Sequence, residues 1–327
     1  MTRVTVVGAG VMGCATAWAL TARGADVTVV EQFDLDHARG SSHGRSRIVR
    51  LAYADPQWVR LAQEAYAGWR RLEAESGREL LQLHGIVELV SSPHLTSAAA
   101  LEACGVEYEL LDADGVRAFG ATLPEGWTAL HEPQGGIVLA DDARHAFLDL
   151  ARSRGARVEQ RKRITSVDEV DGDVVVLTAG PWIRQLIPEL PVRITRETVA
   201  YFQVDRPQAS IVELDEVTGG HAAFSLHDPV HGLKAGRNHS GVEADPDEEG
   251  RPDRVLVEQI AAWVAERFPD VDPRPVAADS CLYTTTGDES FLCERRGRVV
   301  IGSPCSGHGF KFAPVVGARL AELALAP

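Results

Sequence analysis

Arg3-Val4-Thr5-Val6-Val7-Gly8-Ala9-Gly10-Val11-Met12-Gly13-Cys14 runs from a continuous apolar strand, through three spaced glycines, into an apolar helix. The glycines have separate tasks in such a turn. Gly8 permits the tight bend, Gly10 lets the backbone approach a pyrophosphate, and Gly13 allows the helix to pack closely on the strand. Val11 and Met12 open a helix predicted to run to Arg23 and stop at Gly24. Its free N-terminal amides and positive dipole end favour an anion at the turn. Val27 to Val30 reads as a second buried strand, with Glu31 and Gln32 at its end. An acid eighteen residues past Gly13 is placed to accept hydrogen bonds from ribose hydroxyls. It would repel a ribose 2′-phosphate, which disfavours NADP and leaves FAD and NAD open.

Buried strands around a helix of about a dozen residues predict a parallel sheet. Gly40 to Arg45 is a polar loop. Pro56 to Ser76 is predicted as a helix whose buried face carries Trp58, Leu61, Ala65, Trp69 and Leu72. Ile86 to Val90 is strand-like, turn signals are frequent up to Gly136, and Ala143 to Arg154 is helical again. Val158 and Val174 to Leu177 predict further buried strands. Short strands separated by Asp, Pro and Gly fill Val192 to Tyr283, with one helix from Val255 to Phe268. Val299 to Gly302 is a core strand, and Gly317 to Leu325 a closing helix. The pattern predicts an α/β plus α+β chain, a Rossmann-like domain with an inserted, mostly antiparallel β-sheet substrate domain. The expected bounds are 1–85, 136–182 and 281–327 for the discontinuous cofactor domain, and 86–135 and 183–280 for the inserted one.

The 327 residues carry 47 acidic and 33 basic side chains, a formal net charge of −14. That balance lacks the basic stripe a nucleic-acid partner needs. It also requires any anionic substrate to be held by particular local cations. No apolar run approaches the roughly 20 residues of a membrane span. With a strand starting at Arg3 there is no leader ahead of it, so a cytoplasmic location is the expectation. Cys14, Cys104, Cys281, Cys293 and Cys305 contain no CxxC pair and are not read as a disulfide framework or a metal site. Each reads first as a small buried side chain.

Four further segments carry more specific chemistry. They are Gly40-Ser41-Ser42-His43-Gly44-Arg45-Ser46-Arg47-Ile48-Val49-Arg50-Leu51-Ala52-Tyr53, Thr178-Ala179-Gly180-Pro181-Trp182, Cys281-Leu282-Tyr283-Thr284 with Asp288, Glu289 and Phe291 behind it, and Ser306-Gly307-His308-Gly309-Phe310-Lys311-Phe312. Taken in order with the N-terminal loop, they resemble the monomeric sarcosine oxidase family of FAD-dependent amine oxidases. That family includes N-methyltryptophan, pipecolate and fructosyl amino acid oxidases. The CxYT and SGHGFK segments are specific to this group and would not come with a generic Rossmann match.

The resemblance implies a monomeric enzyme that oxidises the C–N bond of an amino acid or N-alkyl amino acid to an imine and reduces O2 to H2O2. It implies FAD held by Gly8, Gly10, Val11, Met12, Gly13, Glu31, Gln32, Ser41, Ser42, His43, Ser46, Arg47, Ala179, Gly180, Trp182, Gly307, His308, Gly309 and Lys311. It also implies a covalent link to FAD through Cys281, with Cys305 as the second choice. His308 and Gly309 are expected to aim backbone amides at the flavin's pyrimidine end. Arg50 and Lys311 are expected to clamp the substrate carboxylate, which suits arginine's forked geometry. Tyr53 and Asn238 complete the expected substrate side. Arg47 is expected beside the flavin, and Lys234, in Gly232-Leu233-Lys234-Ala235-Gly236, is expected to promote reaction with O2. The expected catalytic set is therefore Lys234, Arg47, Arg50 and Lys311.

The chain departs from the family at Asn238, where its sarcosine oxidases carry histidine. His239 stands one place later, and one step along a strand turns a side chain to the opposite face. The departure points to an amine other than sarcosine. Three alternatives stay open on these residues: an NAD-dependent dehydrogenase, an FAD-dependent dehydrogenase or desaturase, and a partner-binding flavoprotein of specialised metabolism.

Overall fold

The computed structural model describes residues 1–92, 95–205, 210–215 and 220–327. Arg3–Val7 is the central strand of a six-stranded sheet, paired in parallel with Asp26–Val30 on one side and Val174–Leu177 on the other. Val299–Ser303 extends the sheet in parallel, and Leu292–Arg296 closes that edge as an antiparallel strand. The helix Val11–Ala22 is buried on nearly every side, because Ala140–Ser153 and Ala313–Leu325 both pack against it. A helix apolar all round is the sequence signature of that position. Val158 lies in Arg157–Glu159, which pairs only with Asp26–Val30 at the sheet edge and is half-exposed. The buried strand expected there is thus an edge strand.

The helix Pro56–Ser76 begins and ends as read from the sequence. The Asp55 side chain accepts from Gln57 N at 2.7 Å, Pro56 sits where a missing N–H costs nothing, and Gly77 closes the helix at φ +69°. Leu61, Ala65, Trp69 and Leu72 are buried. Trp58 is only half-buried, and its ring meets those of Tyr53, Phe291, His308 and Phe312. The closing helix starts at Ala313, ahead of the expected Gly317, since Pro314 is tolerated in a first turn.

A second sheet of nine strands stands apart from the first. Its order is Val242–Glu243, Val192–Gln203, Gly232–Gly236, Gly220–Asp228, Ser210–Asp215, Ile86–Val90, Thr128–Glu132 and Glu109–Leu111, with Ala277–Thr286 paired along Val192–Gln203. All pairs are antiparallel except Ser210–Asp215 with Ile86–Val90. Residues 281–286 therefore run within this sheet, so a boundary at 281 would cut a single strand. A small sheet of Ser46–Val49, Gly136–Leu139 and Leu81–Gln82 completes the described strands. Among the described residues no helix is long and apolar enough to cross a membrane.

The contact of the first and last long helices depends on Gly317. A Cβ there would lie 2.6 Å from the Ala15 backbone carbon. Gly317→Ala is therefore expected to destabilise the chain by about 1–3 kcal/mol, despite alanine's better helix propensity. Urea unfolding of the two proteins measures this, and equal midpoints would contradict it.

Candidate active site

The glycine turn is built by contacts from remote segments. Gly8 has φ +102°, and a Cβ on it would fall 2.5 Å from the Thr178 carbonyl oxygen. A Cβ on Gly13 would lie 1.8 Å from Gly8 O, so the third glycine serves helix–strand packing and does not itself line the cleft. Val11 N donates to Ser42 Oγ at 3.0 Å, which docks the Gly40–Arg45 loop on the start of the first helix. The buried Glu31 carboxylate accepts from Ala9 N at 2.8 Å and Phe33 N at 3.0 Å. Two oxygens with about four acceptor positions leave capacity for a diol beyond these two bonds.

From this turn a cleft of about 1990 Å³, mouth included, extends to the large sheet. Gly8, Gly10, Val11, Met12, Glu31 and Gln32 line one end, with Ala179, Gly180 and Trp182 beside them. Ser41, Ser42, His43, Ser46, Arg47, Arg50, Lys234, Asn238, Cys281, Gly307, His308, Gly309 and Lys311 line the rest. Arg47, Arg50, Arg144, Lys162, Lys234 and Lys311 are its cations, and Glu31 is the one carboxylate among the described lining residues. Four buried polar atoms of lining residues have no hydrogen-bond partner: His43 Nδ1, Ser46 Oγ, Arg144 Nη1 and Ser303 Oγ. Buried polar groups are rarely left so, and a polar ligand bound in the cleft would supply the missing partners.

Each expected cation is held by a neighbour. Arg47 donates to the carbonyls of Ser46 (2.9 Å), Ser41 (2.9 Å) and His43 (2.6 Å), so it ties the 41–46 loop together besides facing the cleft. Arg50, 6% exposed, pairs with the buried Glu88 at 3.2 Å and lies over the Tyr53 ring at 4.7 Å. Lys311, 4% exposed, donates to Tyr53 Oη at 3.1 Å and to His308 O at 3.2 Å. Burial, and then the nearby Arg50 charge, hold its ammonium well below the usual lysine range. Lys234 donates to Ser46 O at 3.3 Å, and burial with the Arg47 charge brings it down to about 7. Burial and Arg47 likewise push His43 down to about 4, so it is a neutral imidazole.

Several expectations need correcting. Tyr53 does not line the cleft; its ring lies beneath Arg50 and Lys311 and supports both. The amides of His308 and Gly309 both donate to Cys305 O, at 3.0 and 2.8 Å, so the loop itself uses these two donors. This tight turn is why glycine is needed at 309, where a Cβ would fall 1.6 Å from Pro304 O. The strand argument about His239 does not apply, because the strand ends at Gly236 and His239 sits in a turn with φ +52°. Asn238 reaches the cleft, while His239 Nε2 lies 3.3 Å from a Glu289 carboxylate oxygen.

Cys281 and Cys305 both line the cleft. Burial pushes the Cys281 thiol up, and the charges of Arg47 and Lys234 pull it back. Cys14 is the inert case: fully buried, it donates to Ala9 O and is pushed up to about 12 by its burial.

Sequence reading missed the acids behind Arg50. Glu88 interrupts the otherwise apolar strand Ile86–Val90, and its other oxygen accepts from Ser97 Oγ. Glu132, fully buried two strands from the Ser210–Asp215 strand, accepts from Leu51 N and Ala52 N at 2.8–2.9 Å. A lone carboxylate in a buried strand was the available signal, since such a group needs a partner.

A model of the FAD-dependent oxidoreductase (DAO) family matches residues 3–323. The chain is 33% identical over 355 residues to the peroxisomal sarcosine oxidase of Homo sapiens, covering 98% of this chain and 91% of that protein. It is 33% identical over 360 residues to the monomeric sarcosine oxidase of Streptomyces avermitilis, covering 98% and 93%. Among solved structures, the open form of NikD, described as an unusual amino acid oxidase essential for nikkomycin biosynthesis, matches with a TM-score of 0.87 at 25% identity, over 100% of this chain and 95% of that one.

Glu132 gives the site a titration that can be measured. Burial raises its carboxyl to about 7, against the backbone donors that favour the anion. A folded value above the unfolded one, roughly 4.3, means that its contribution to stability is lost as pH rises from about 4.5 to about 7. The stability of the native chain relative to Glu132→Gln is therefore expected to fall between pH 5 and pH 8 in urea unfolding. A difference that stays constant across that window would contradict the assignment.

Proposed function

We propose that this chain, which belongs to the sarcosine oxidase family of FAD-dependent oxidoreductases, oxidises the C–N bond of an amino acid or N-alkyl amino acid to an imine, with O2 reduced to H2O2. The observation that carries the reading is electrostatic. A chain of net charge −14 lines one cleft with six cations and, among the described lining residues, a single carboxylate. Such a surface serves an anionic dinucleotide together with an anionic substrate.

FAD, when bound, supplies the two-electron chemistry; the protein supplies orientation and electrostatics. The Gly8–Gly13 turn and Glu31 suit the pyrophosphate and the adenosine ribose, and the unpartnered His43, Ser46, Arg144 and Ser303 atoms suit its remaining polar groups. Cys281 is the proposed covalent tether.

Arg50 and Lys311 are the proposed carboxylate clamp. Glu88 engages one Arg50 nitrogen, and the guanidinium keeps further donors for a substrate. An arriving carboxylate favours the charged form of Lys311, which burial beside Arg50 disfavours. Among the described lining residues at this end no carboxylate waits for an ammonium, so the substrate amine is received neutral. Lys234 is the proposed cation that assists charge transfer to O2, the role expected from its segment.

Acid precipitation tests the tether. The native protein is expected to give a yellow pellet, and Cys281→Ser a colourless pellet with the flavin in solution. A native pellet without colour would contradict the covalent assignment. Lys234→Gln is expected to slow reoxidation of the reduced protein by O2 about 100-fold, in line with removing one preorganised charge donor. Stopped-flow mixing with O2 reads it, and an unchanged rate would remove Lys234 from that role.

A further inference from the structure

We infer that the substrate carries an apolar side chain of about leucine to phenylalanine size, and that basic side chains are rejected. This rests on the proposed oxidation of an amino acid held by Arg50 and Lys311.

Backbone register carries the argument. Val199 pairs with Gly236, Gly236 with Phe224, Phe224 with Val212, and Val212 with Glu88. Directly opposed residues in a sheet share a face. Val199, Phe224 and Val212 line the cleft, so this row crosses the cleft face with Glu88 next after Val212; the row continues to Leu130 beyond Glu88 and to Asp279 beyond Val199, neither of which lines the cleft. Arg50 meets Glu88 there, which places the carboxylate end of a substrate at the Glu88 side of the row.

Strands lie roughly 4.8 Å apart. Val212 is then one spacing, about 5 Å, from Glu88, and Phe224 is two, about 10 Å. The Phe224 ring lies across Gly236: a Cβ at 236 would fall 2.7 Å from Phe224 Cζ and 3.2 Å from Val199 Cγ1. The missing side chain at Gly236 is what accommodates the ring. The floor beyond the clamp is therefore apolar over a length that suits four to seven carbons.

The next row on the same face, two residues along, contains Tyr201, Lys234 and Leu226. Leu226 and Lys234 line the cleft beside the first row. A basic side chain lying on this floor would end against the Lys234 amine with no described lining carboxylate to meet it. An unpaired buried charge is costly, and the Lys234 amine offers it no countercharge.

The test uses FAD-loaded full-length protein and simple carboxylates that lack an α-amine. Calorimetric titration is expected to show 4-methylpentanoate and 3-phenylpropanoate binding at least about 10-fold tighter than acetate, within the range for adding methylenes in an apolar pocket. 6-Aminohexanoate is expected to bind no tighter than acetate. Phe224→Asp is expected to reverse the order of 4-methylpentanoate and 6-aminohexanoate. Phe224→Ala, a milder change, is expected to shrink the preference for the apolar acids. Equal affinities for acetate and 4-methylpentanoate, or tight binding of 6-aminohexanoate, would overturn the inference and leave the proposed reaction standing. If no carboxylate binds at all, the clamp itself fails and this inference fails with it. Among substrates, N-methylleucine is expected to exceed sarcosine in kcat/KM by a similar factor, and the reverse order would overturn it.

Discussion

Arg50, Lys234 and Lys311 are each at most 6% exposed, and with Arg47 they face one cleft. Burying cations is expensive unless they are paired or hydrogen-bonded. The fold meets that requirement with unlike devices: the Glu88 carboxylate for Arg50, loop carbonyls for Arg47 and Lys234, and the Tyr53 hydroxyl with its ring beneath Arg50 and Lys311. Among the described residues Arg50 alone of the four has a carboxylate partner, and both lysines are shifted toward the neutral form. The cleft is thus held in a condition that an anion relieves. Its position against the glycine turn and its shape follow from bringing these four side chains together from strands and loops far apart in sequence.

That convergence explains how much was legible beforehand. The glycine turn could be read residue by residue because its requirements are local and steric: a Cβ on Gly8 or Gly13 would strike backbone, and one on Gly10 would crowd Ser42 Oγ at 3.1 Å. The long helix Pro56–Ser76 was equally readable, with Asp55 and Gly77 capping an amphipathic stretch. The lining of the cleft by Arg50, Lys234, Cys281 and Lys311 came instead from the resemblance, since spacing alone does not bring residue 50 to residue 311.

What was not legible depends on pairing across the large sheet. Glu88 acquires its meaning only when the strand Ile86–Val90 is placed next to Ser210–Asp215 and Arg50 arrives from the small sheet's end. The same applies to Tyr53, whose motif position suggested a substrate contact but whose ring lies under the cations. His239 was argued as a strand residue, whereas the strand stops at Gly236 and the backbone turns. The His308 and Gly309 amides turned inward for a related reason: Gly309 packs against Pro304, and that tight loop consumes its own donors.

In the proposed reaction the cleft's cations make one demand of a substrate, a free carboxylate. Anaerobic mixing of FAD-loaded protein with an N-methyl amino acid, and with the primary amide of the same amino acid, tests this demand directly. The acid is expected to bleach the flavin absorbance with saturation in concentration, and the amide to do so far more slowly without saturating. Equal bleaching by both compounds, or none by the acid, would contradict the account.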